Sequence, residues 1–204
     1  MQNIKAIIFD LGGVLLDIDF KKVCSSFKTL GAEKFEEIYS QHDCDPIFEN
    51  LETGKISEAD FCIALKKYTS GSVTNEEVTN AWNSILLDFR LSSLNHLKEL
   101  KNKYNLFLLS NTNIIHQQAF NKIFENTIGE SFFNSFFDKA YYSHEIGLRK
   151  PNAEAYKYVL EENKLQPAET LFIDDTPGNI EGAKAVGITT ILLTKGLKIE
   201  NLGL

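Results

Sequence analysis

Short runs of apolar residues recur along the chain, and stretches with helical spacing separate them. Runs of this length, rich in β-branched and aromatic residues and closed by turn-forming or polar residues, are typical of strands buried on both faces. Five such strands are predicted, at residues 4–9, 105–110, 139–143, 170–174 and 189–193. The alternation of strands and helices predicts an α/β fold, a three-layer α/β/α Rossmann-like parallel sheet with right-handed crossovers.

The segment between the first two predicted strands carries helical patterns and no strand-like run, and it is too long for one crossover helix. Ser57 is placed to cap one helix, and Thr74 with Glu77 forms a capping box before another. A helical domain is therefore expected to interrupt the sheet. The predicted domains are a core of residues 1–17 and 91–204 and a helical cap of residues 18–90.

Composition and charge disfavour several classes of partner and of site. The 21 basic and 28 acidic residues give a net charge of −7, so we expect no nucleic-acid partner. No apolar run is long enough for a signal peptide or a membrane span, so no membrane association is expected. Three cysteines without CxxC spacing, Cys24, Cys44 and Cys62, indicate a reducing cytoplasm rather than a disulfide framework or a zinc site.

Reactive side chains follow four of the five predicted strands, at the edge where an open parallel sheet binds ligands. They are Asp10, Ser110 with Asn111, Lys150, and Asp174 with Asp175. A nucleophilic carboxylate, a hydroxyl, an ammonium and an acidic pair suit phosphoryl transfer with Mg²⁺. Asp10 can attack phosphorus, Ser110 and Lys150 can hold the phosphoryl oxygens, and Gly12 with Gly13 lets the backbone approach a phosphate.

Four segments in this order resemble the haloacid dehalogenase (HAD) superfamily, and the resemblance spans essentially the whole chain. They are Phe-Asp-Leu-Gly-Gly-Val-Leu at 9–15, Leu-Ser-Asn-Thr-Asn at 109–113, Gly-Leu-Arg-Lys-Pro at 147–151 and Phe-Ile-Asp-Asp-Thr-Pro-Gly-Asn-Ile-Glu-Gly-Ala at 172–183. The second and third are most similar to the bacterial α-D-glucose-1-phosphate phosphatase branch. The resemblance implies a phosphatase that works through an aspartyl-phosphate and carries a helical cap.

The same resemblance implies a role for each site residue. Asp10 is the nucleophile, and Mg²⁺ is bound by Asp10, Asp175 and the Gly12 carbonyl, with Asp174 supporting the water shell of the metal. The catalytic set is Asp10, Ser110 and Lys150, and the phosphate-binding set is Leu11, Gly12, Ser110, Asn111 and Lys150. The expected substrate is a small phosphorylated metabolite, such as a sugar 1-phosphate.

Gly12 departs from the superfamily pattern, because most phosphatases of the superfamily carry an aspartate there that protonates the leaving oxygen. Asp17 or Asp19 could replace that acid, although surface roles are favoured for both. Without an acid, substrates with good leaving groups, such as sugar 1-phosphates, should react best. Further candidates for substrate contact are His42, Asp43, Asp45, Glu49, Trp82 and Asn83 in the cap and Asn113 and Arg149 in the core.

Three other functions remain open. The chain could be a HAD-fold binding or regulatory protein impaired by Gly12. A phosphoacceptor domain of the receiver type is disfavoured because its acidic pair would precede the phosphorylated aspartate, whereas Asp174 and Asp175 come last. Dehalogenation is weaker still, because Lys150 and the acidic pair suit a phosphate dianion and Mg²⁺. The oligomeric state is left open.

Overall fold

The computed structural model describes residues 3–39, 45–129 and 133–204. Within these ranges the strands are β1 (Ala6–Phe9), β2 (Leu16–Ile18), β3 (Leu86–Phe89), β4 (Asn105–Ser110), β5 (Lys139–Tyr142), β6 (Thr170–Asp174) and β7 (Thr189–Leu192). The α-helices are α1 (Phe20–Thr29), α2 (Phe35–Ile38), α3 (Pro46–Glu52), α4 (Glu58–Lys66), α5 (Asn75–Asn83), α6 (Leu91–Leu100), α7 (Ile114–Ile128), α8 (Ser143–Ile146), α9 (Ala153–Glu162) and α10 (Pro177–Ala185). None of these described helices is long and apolar enough to cross a membrane.

Five strands form a parallel sheet in the order β5-β4-β1-β6-β7, with β1 at the centre. Successive side chains of a strand point to opposite faces, so Ile7 and Phe9 pack with α6 and α7, whereas Ala6 and Ile8 pack with α9 and α10. Helices therefore cover both faces of the sheet. This arrangement confirms the predicted three-layer α/β/α fold.

The inserted segment builds its own hydrophobic cluster from α1, α3, α4 and α5, with Trp82 and Phe61 among its fully buried side chains. Its helices begin where the sequence predicts. The Ser57 hydroxyl accepts a hydrogen bond from the Asp60 N–H at 3.1 Å, and the capping box of Thr74 is formed on α5. These helices form a cap over the carboxyl edge of the sheet.

A two-stranded antiparallel ribbon joins the cap to the core. In it, Leu16 lies opposite Phe89 and Ile18 lies opposite Leu86. The prediction of an insertion without a strand is therefore wrong at Leu86–Phe89. Four mostly apolar residues fit a helix or a strand equally well, and here the choice is made by a partner strand far away in the sequence. The ribbon brings both ends of the insertion together beside the edge of the sheet.

Candidate active site

The central strands place three of the predicted site residues at the carboxyl edge of the sheet. Asp10 directly follows β1, and its N–H donates to the Ile173 carbonyl at 2.9 Å. Ser110 ends β4 and Asp174 ends β6, the two neighbours of β1. All three residues are buried. The parallel topology thus brings together side chains that lie far apart in the sequence.

Lys150 reaches into the centre of this group. Its Nζ atom lies 2.5 Å from Asp10 Oδ1 and 2.7 Å from Asp174 Oδ2, and the residue is only 1% exposed. Asn111 holds the Lys150 backbone in place: its Oδ1 accepts from the Lys150 N–H at 2.9 Å, and its Nδ2 donates to the Lys150 carbonyl at 2.8 Å. The Asn111 side chain therefore positions Lys150, and its predicted contact with phosphate stays a prediction.

Asp174 is fixed from its other side by the start of α10. The Thr176 N–H donates to Asp174 Oδ1 at 2.7 Å, and the Asn179 amide donates to both carboxylate oxygens at 3.2 and 3.0 Å. Asp175 packs against Gly13, where an added Cβ would come within 2.0 Å of Asp175 Oδ2. Gly13 also has a φ of +73°, which favours glycine. The second glycine of the first motif therefore makes room for a carboxylate of the acidic pair.

Acidic groups outnumber basic groups in the cluster. The pKa of Asp10 is raised to about 7, chiefly by burial, and Asp174 and Asp175 add to the rise although Lys150 opposes it. Burial lowers the pKa of Lys150, but Asp10 and Asp174 together raise it further, so the net shift is upward. Burial and then Asp174 raise the pKa of Asp175 as well. One ammonium thus faces three carboxylates.

This donor set fits a magnesium ion. Oxygen atoms from Asp10, Asp174 and Asp175 all lie within 4.8 Å of one another. Mg²⁺ prefers carboxylates together with water and phosphate oxygens, and its two positive charges would balance the excess negative charge. The three aspartates of the predicted metal site are therefore placed where they can hold the ion.

A cavity of about 560 Å³ opens above the cluster, between the core and the cap. Its lining includes Asp10, Gly12, Asn111, Lys150 and Asp175, all of them predicted site residues. Ser110 and Leu11 line a smaller adjoining space of about 120 Å³. Each of the predicted catalytic and phosphate-binding residues therefore borders one of these two spaces.

The two aspartates considered as substitutes for the acid missing at Gly12 are engaged elsewhere. Asp17 Oδ1 accepts from Arg90 Nε at 2.7 Å and also lies 2.7 Å from its Nη2. Asp19 caps α1, since its Oδ1 accepts from the Lys21 N–H at 2.9 Å. Both side chains have the structural roles that the sequence analysis favoured.

Three of the further candidates for substrate contact also have structural roles. Asp45 caps α3 through a hydrogen bond from the Ile47 N–H at 2.9 Å. Trp82 belongs to the cap core and stacks on His116, with ring centroids 4.7 Å apart. Asn113 caps α7 by accepting from the His116 N–H at 3.0 Å. None of these three side chains lines the larger cavity.

Two other cap candidates, His42 and Asp43, lie outside the described residues. Asn83 also does not line the larger cavity, although its side-chain oxygen is buried without a hydrogen-bond partner among the described residues.

Glu52 is a cavity residue that the sequence analysis missed. It is the last residue of α3 and lines both spaces, with Oε2 3.0 Å from Arg149 Nη2. Glu49 lies 3.7 Å from the same guanidinium but borders neither space. A carboxylate in the last turn opposes the helix dipole, and this local conflict was the signal in the sequence that could have revealed Glu52.

Comparison with known proteins agrees with this geometry. The family model described as haloacid dehalogenase-like hydrolase matches residues 4–187. A D-ribitol-5-phosphate phosphatase of Bacteroides thetaiotaomicron is 34% identical over 92% of this chain and 90% of its own length. A sesquiterpene phosphatase of Aspergillus oryzae is 31% identical over 95% of this chain and 91% of its own length.

Solved structures show the same likeness. A crystal structure of a HAD family enzyme from Bacteroides thetaiotaomicron, a mutant in complex with magnesium and inorganic phosphate, is 34% identical and covers 98% of this chain and 99% of its own. It superimposes with a TM-score of 0.92. The resemblance, the fold class and the assignment as a hydrolase are thereby confirmed, and the expected magnesium is the ion bound in that similar structure. The chain belongs to the haloacid dehalogenase-like hydrolase family.

Proposed function

We propose that the protein is a magnesium-dependent phosphatase that hydrolyses a small phosphorylated sugar or polyol through an aspartyl-phosphate on Asp10. The observation that carries the proposal is the contact of Asp10 with Lys150 beneath the cavity, beside Asp174 and Asp175. In this arrangement a carboxylate oxygen faces the space where a phosphate would lie. The names of the two similar phosphatases support the same reaction.

Asp10 acts as the nucleophile. An oxygen of its carboxylate attacks phosphorus, and the P–O bond to the leaving group breaks. Water then attacks the aspartyl-phosphate and releases inorganic phosphate, which restores the carboxylate. Lys150 favours the anionic form of Asp10, as the opposing direction of its effect on the pKa of Asp10 indicates.

Lys150 also neutralises charge on the transferring group. Its ammonium has three N–H donors, and Asp10 and Asp174 use two of them. The third is available for a phosphoryl oxygen. The hydroxyl of Ser110, at the end of the neighbouring strand, would donate to a second oxygen of the same group.

Asp10 and Asp175, with the Gly12 carbonyl, would hold the magnesium ion, and Asp174 would support its water ligands. Bound Mg²⁺ supplies positive charge against the phosphoryl oxygens and offsets the repulsion among the carboxylates. Asp174 is already oriented for this role by Thr176 and Asn179. Its remaining contact, with Lys150, links the metal site to the nucleophile.

The choice of substrate depends on the leaving group. Sequence reasoning favours a sugar 1-phosphate, because an anomeric oxygen leaves readily without an acid at Gly12. The similar Bacteroides phosphatase is named for D-ribitol 5-phosphate, an ester of a primary alcohol. We therefore propose the broader class of small sugar and polyol phosphates, with these two esters as the opposing cases. The reducing cytoplasm stays the proposed compartment on cysteine usage alone.

The test is phosphate release from a panel of sugar and polyol phosphates, with Mg²⁺ and with excess chelator. Release that needs Mg²⁺ and is lost in Asp10→Asn would support the proposal. If no phosphomonoester is hydrolysed faster than in buffer, the alternative of a catalytically impaired binding protein gains, with Gly12 as its cause. Full activity in excess chelator would exclude the metal-dependent reaction.

A further inference from the structure

The cap contributes one ionisable side chain to the lining of the larger cavity, among the residues that the structure describes. The other described cap-side residues of that lining, Ile18 and Phe20, are apolar. Glu52 therefore places a carboxyl group in an otherwise apolar wall of the cavity that holds Asp10 in its lining. It also borders the smaller space that Ser110 lines.

The backbone around Glu52 is held firmly against the core. Gly54, two residues further on, has a φ of +68°, and a Cβ there would lie 2.4 Å from the carbonyl oxygen of His144 in α8. Such a close approach of the cap backbone to the core fixes the end of α3. Thr53 closes the helix, because its N–H and hydroxyl both donate to the Glu49 carbonyl, at 2.9 and 2.7 Å. The position of Glu52 is thus set by the fold.

The charged group in contact with the Glu52 carboxyl group is the Arg149 guanidinium. Glu52 Oε2 lies 3.0 Å from Arg149 Nη2 but receives no aligned hydrogen bond from the described residues. Burial raises the pKa of Glu52, while Arg149 and Lys150 lower it and Glu49 raises it, and the net shift is upward. These are the charged groups that act on it. A carboxyl group in this environment holds a proton to higher pH than an exposed glutamate does.

The geometry of phosphoryl transfer places a proton donor to the leaving oxygen on this wall. The attacking and leaving oxygens lie roughly in line with phosphorus, so a leaving group expelled by Asp10 faces away from the sheet and towards the cap. Position 12 carries no acid, and Asp17 and Asp19 are held by Arg90 and by the start of α1. Glu52 is the remaining carboxyl group that lines the cavity on the cap side within the described ranges.

We propose that Glu52 is the proton donor to the leaving oxygen, and so replaces from the cap the acid that is missing at Gly12. The proposal rests on the proposed phosphatase function. In the first step the P–O bond to Asp10 forms, the bond to the leaving oxygen breaks, and that oxygen takes the proton of Glu52. In the second step water attacks phosphorus and gives a proton to the Glu52 carboxylate while the P–O bond to Asp10 breaks, which releases inorganic phosphate and restores both residues.

The test compares leaving groups in Glu52→Gln. A primary-alkyl phosphate such as D-ribitol 5-phosphate needs protonation of its leaving oxygen, whereas p-nitrophenyl phosphate does not. We expect kcat/KM, which covers only the steps up to cleavage of the substrate, to fall about 10²-fold or more on the alkyl ester and to change by less than about threefold on the aryl ester. Glu49→Gln is the matched control, because Glu49 contacts the same arginine without lining the cavity. Its kcat/KM should stay within about threefold on both esters.

Each other outcome overturns the proposal in a recognisable way. Equal losses of kcat/KM on both esters would mean that Glu52 only supports the structure, and a change confined to KM, with kcat unchanged, would mean that it only binds substrate. Unchanged activity, or a wild-type enzyme that hydrolyses the aryl ester alone, would mean that Glu52 gives the leaving group no help. If the wild-type protein hydrolyses neither ester nor any other phosphomonoester, the proposed function itself fails.

Discussion

Replacing Asp10 by asparagine should abolish hydrolysis and at the same time stabilise the metal-free protein at alkaline pH. Burial and the neighbouring carboxylates raise the pKa of Asp10 from 3.8 to about 7. A carboxyl group with a raised pKa in the folded state favours folding most below its unfolded pKa. That contribution is lost as the pH rises from about 4 through 7. Asparagine cannot ionise, so the stability of the variant does not fall in this way as the pH rises.

The size of the effect follows from the two pKa values. Each pKa unit corresponds to about 1.4 kcal/mol, so ionising Asp10 costs the folded protein at most about 4 kcal/mol above pH 7. At pH 5 the same calculation gives about 2 kcal/mol. The free energy of unfolding of Asp10→Asn, relative to wild type, should therefore be about 2.5 kcal/mol higher at pH 8 than at pH 5. The amide oxygen of the substituted side chain can still accept from Lys150, so no buried ammonium loses its partner.

Urea unfolding at pH 5 and pH 8, with a chelator present, measures this difference directly. Asp88→Asn is the control, because Asp88 is exposed on β3 and lies outside the cluster. The control should show the same relative stability at both pH values. A stability difference for Asp10→Asn that does not change with pH would refute the electrostatic reasoning, and retained phosphatase activity would refute the role of Asp10 as nucleophile.

Three further predictions concern the neighbours of Asp10. Lys150→Ala should lower kcat/KM by about 10² or more and Arg149→Ala by less, because the Lys150 ammonium contacts the nucleophile. Equal losses in the two variants would contradict the role of Lys150 in binding the transferring phosphoryl group. Asp175→Ala should raise the Mg²⁺ concentration needed for half-maximal activity or eliminate activity, and an unchanged Mg²⁺ titration would count against it as a ligand. Gly13→Ala should destabilise the protein by more than Gly71→Ala, measured by urea unfolding. Both positions have positive φ, but only Gly13 has Asp175 against it; equal losses would show that the contact is unimportant.

The sheet was predictable because its signals are local. Strands 105–110 and 170–174 match the structure residue for residue, and the helix starts at Ser57 and Thr74 follow from caps that a few neighbouring residues define. The ribbon of Leu16–Ile18 and Leu86–Phe89 was not predictable in this way. Its strands are three and four residues long, and they pair with each other across the whole insertion.

The residues of the site also differ in how far the sequence could predict their roles. Residues at strand ends could be inferred, because the topology of a parallel sheet sends all carboxyl ends to one edge. The use of Asn111 to hold the Lys150 backbone, and of Asn113 to cap α7, depends on side-chain directions that a sequence motif does not encode. Glu52 carried only the signal of a carboxylate in the last turn of its helix, because its place in the cavity depends on how the cap sits on the core.

Gly12 and Gly13 show why adjacent glycines need separate explanations. Gly13 is required by space and by backbone, since a side chain there would collide with Asp175 and would have to adopt a φ of +73°. At Gly12 a Cβ would meet only the end of the Ile18 side chain, at 3.3 Å, and the backbone is not in the left-handed region. Packing therefore does not exclude an aspartate at position 12. A carboxylate there would, however, join a cluster in which three carboxylates already face one ammonium, and would raise the cost of keeping Asp10 ionised. An acid that approaches from the cap, paired with its own arginine, can serve the leaving group without adding its charge to that cluster.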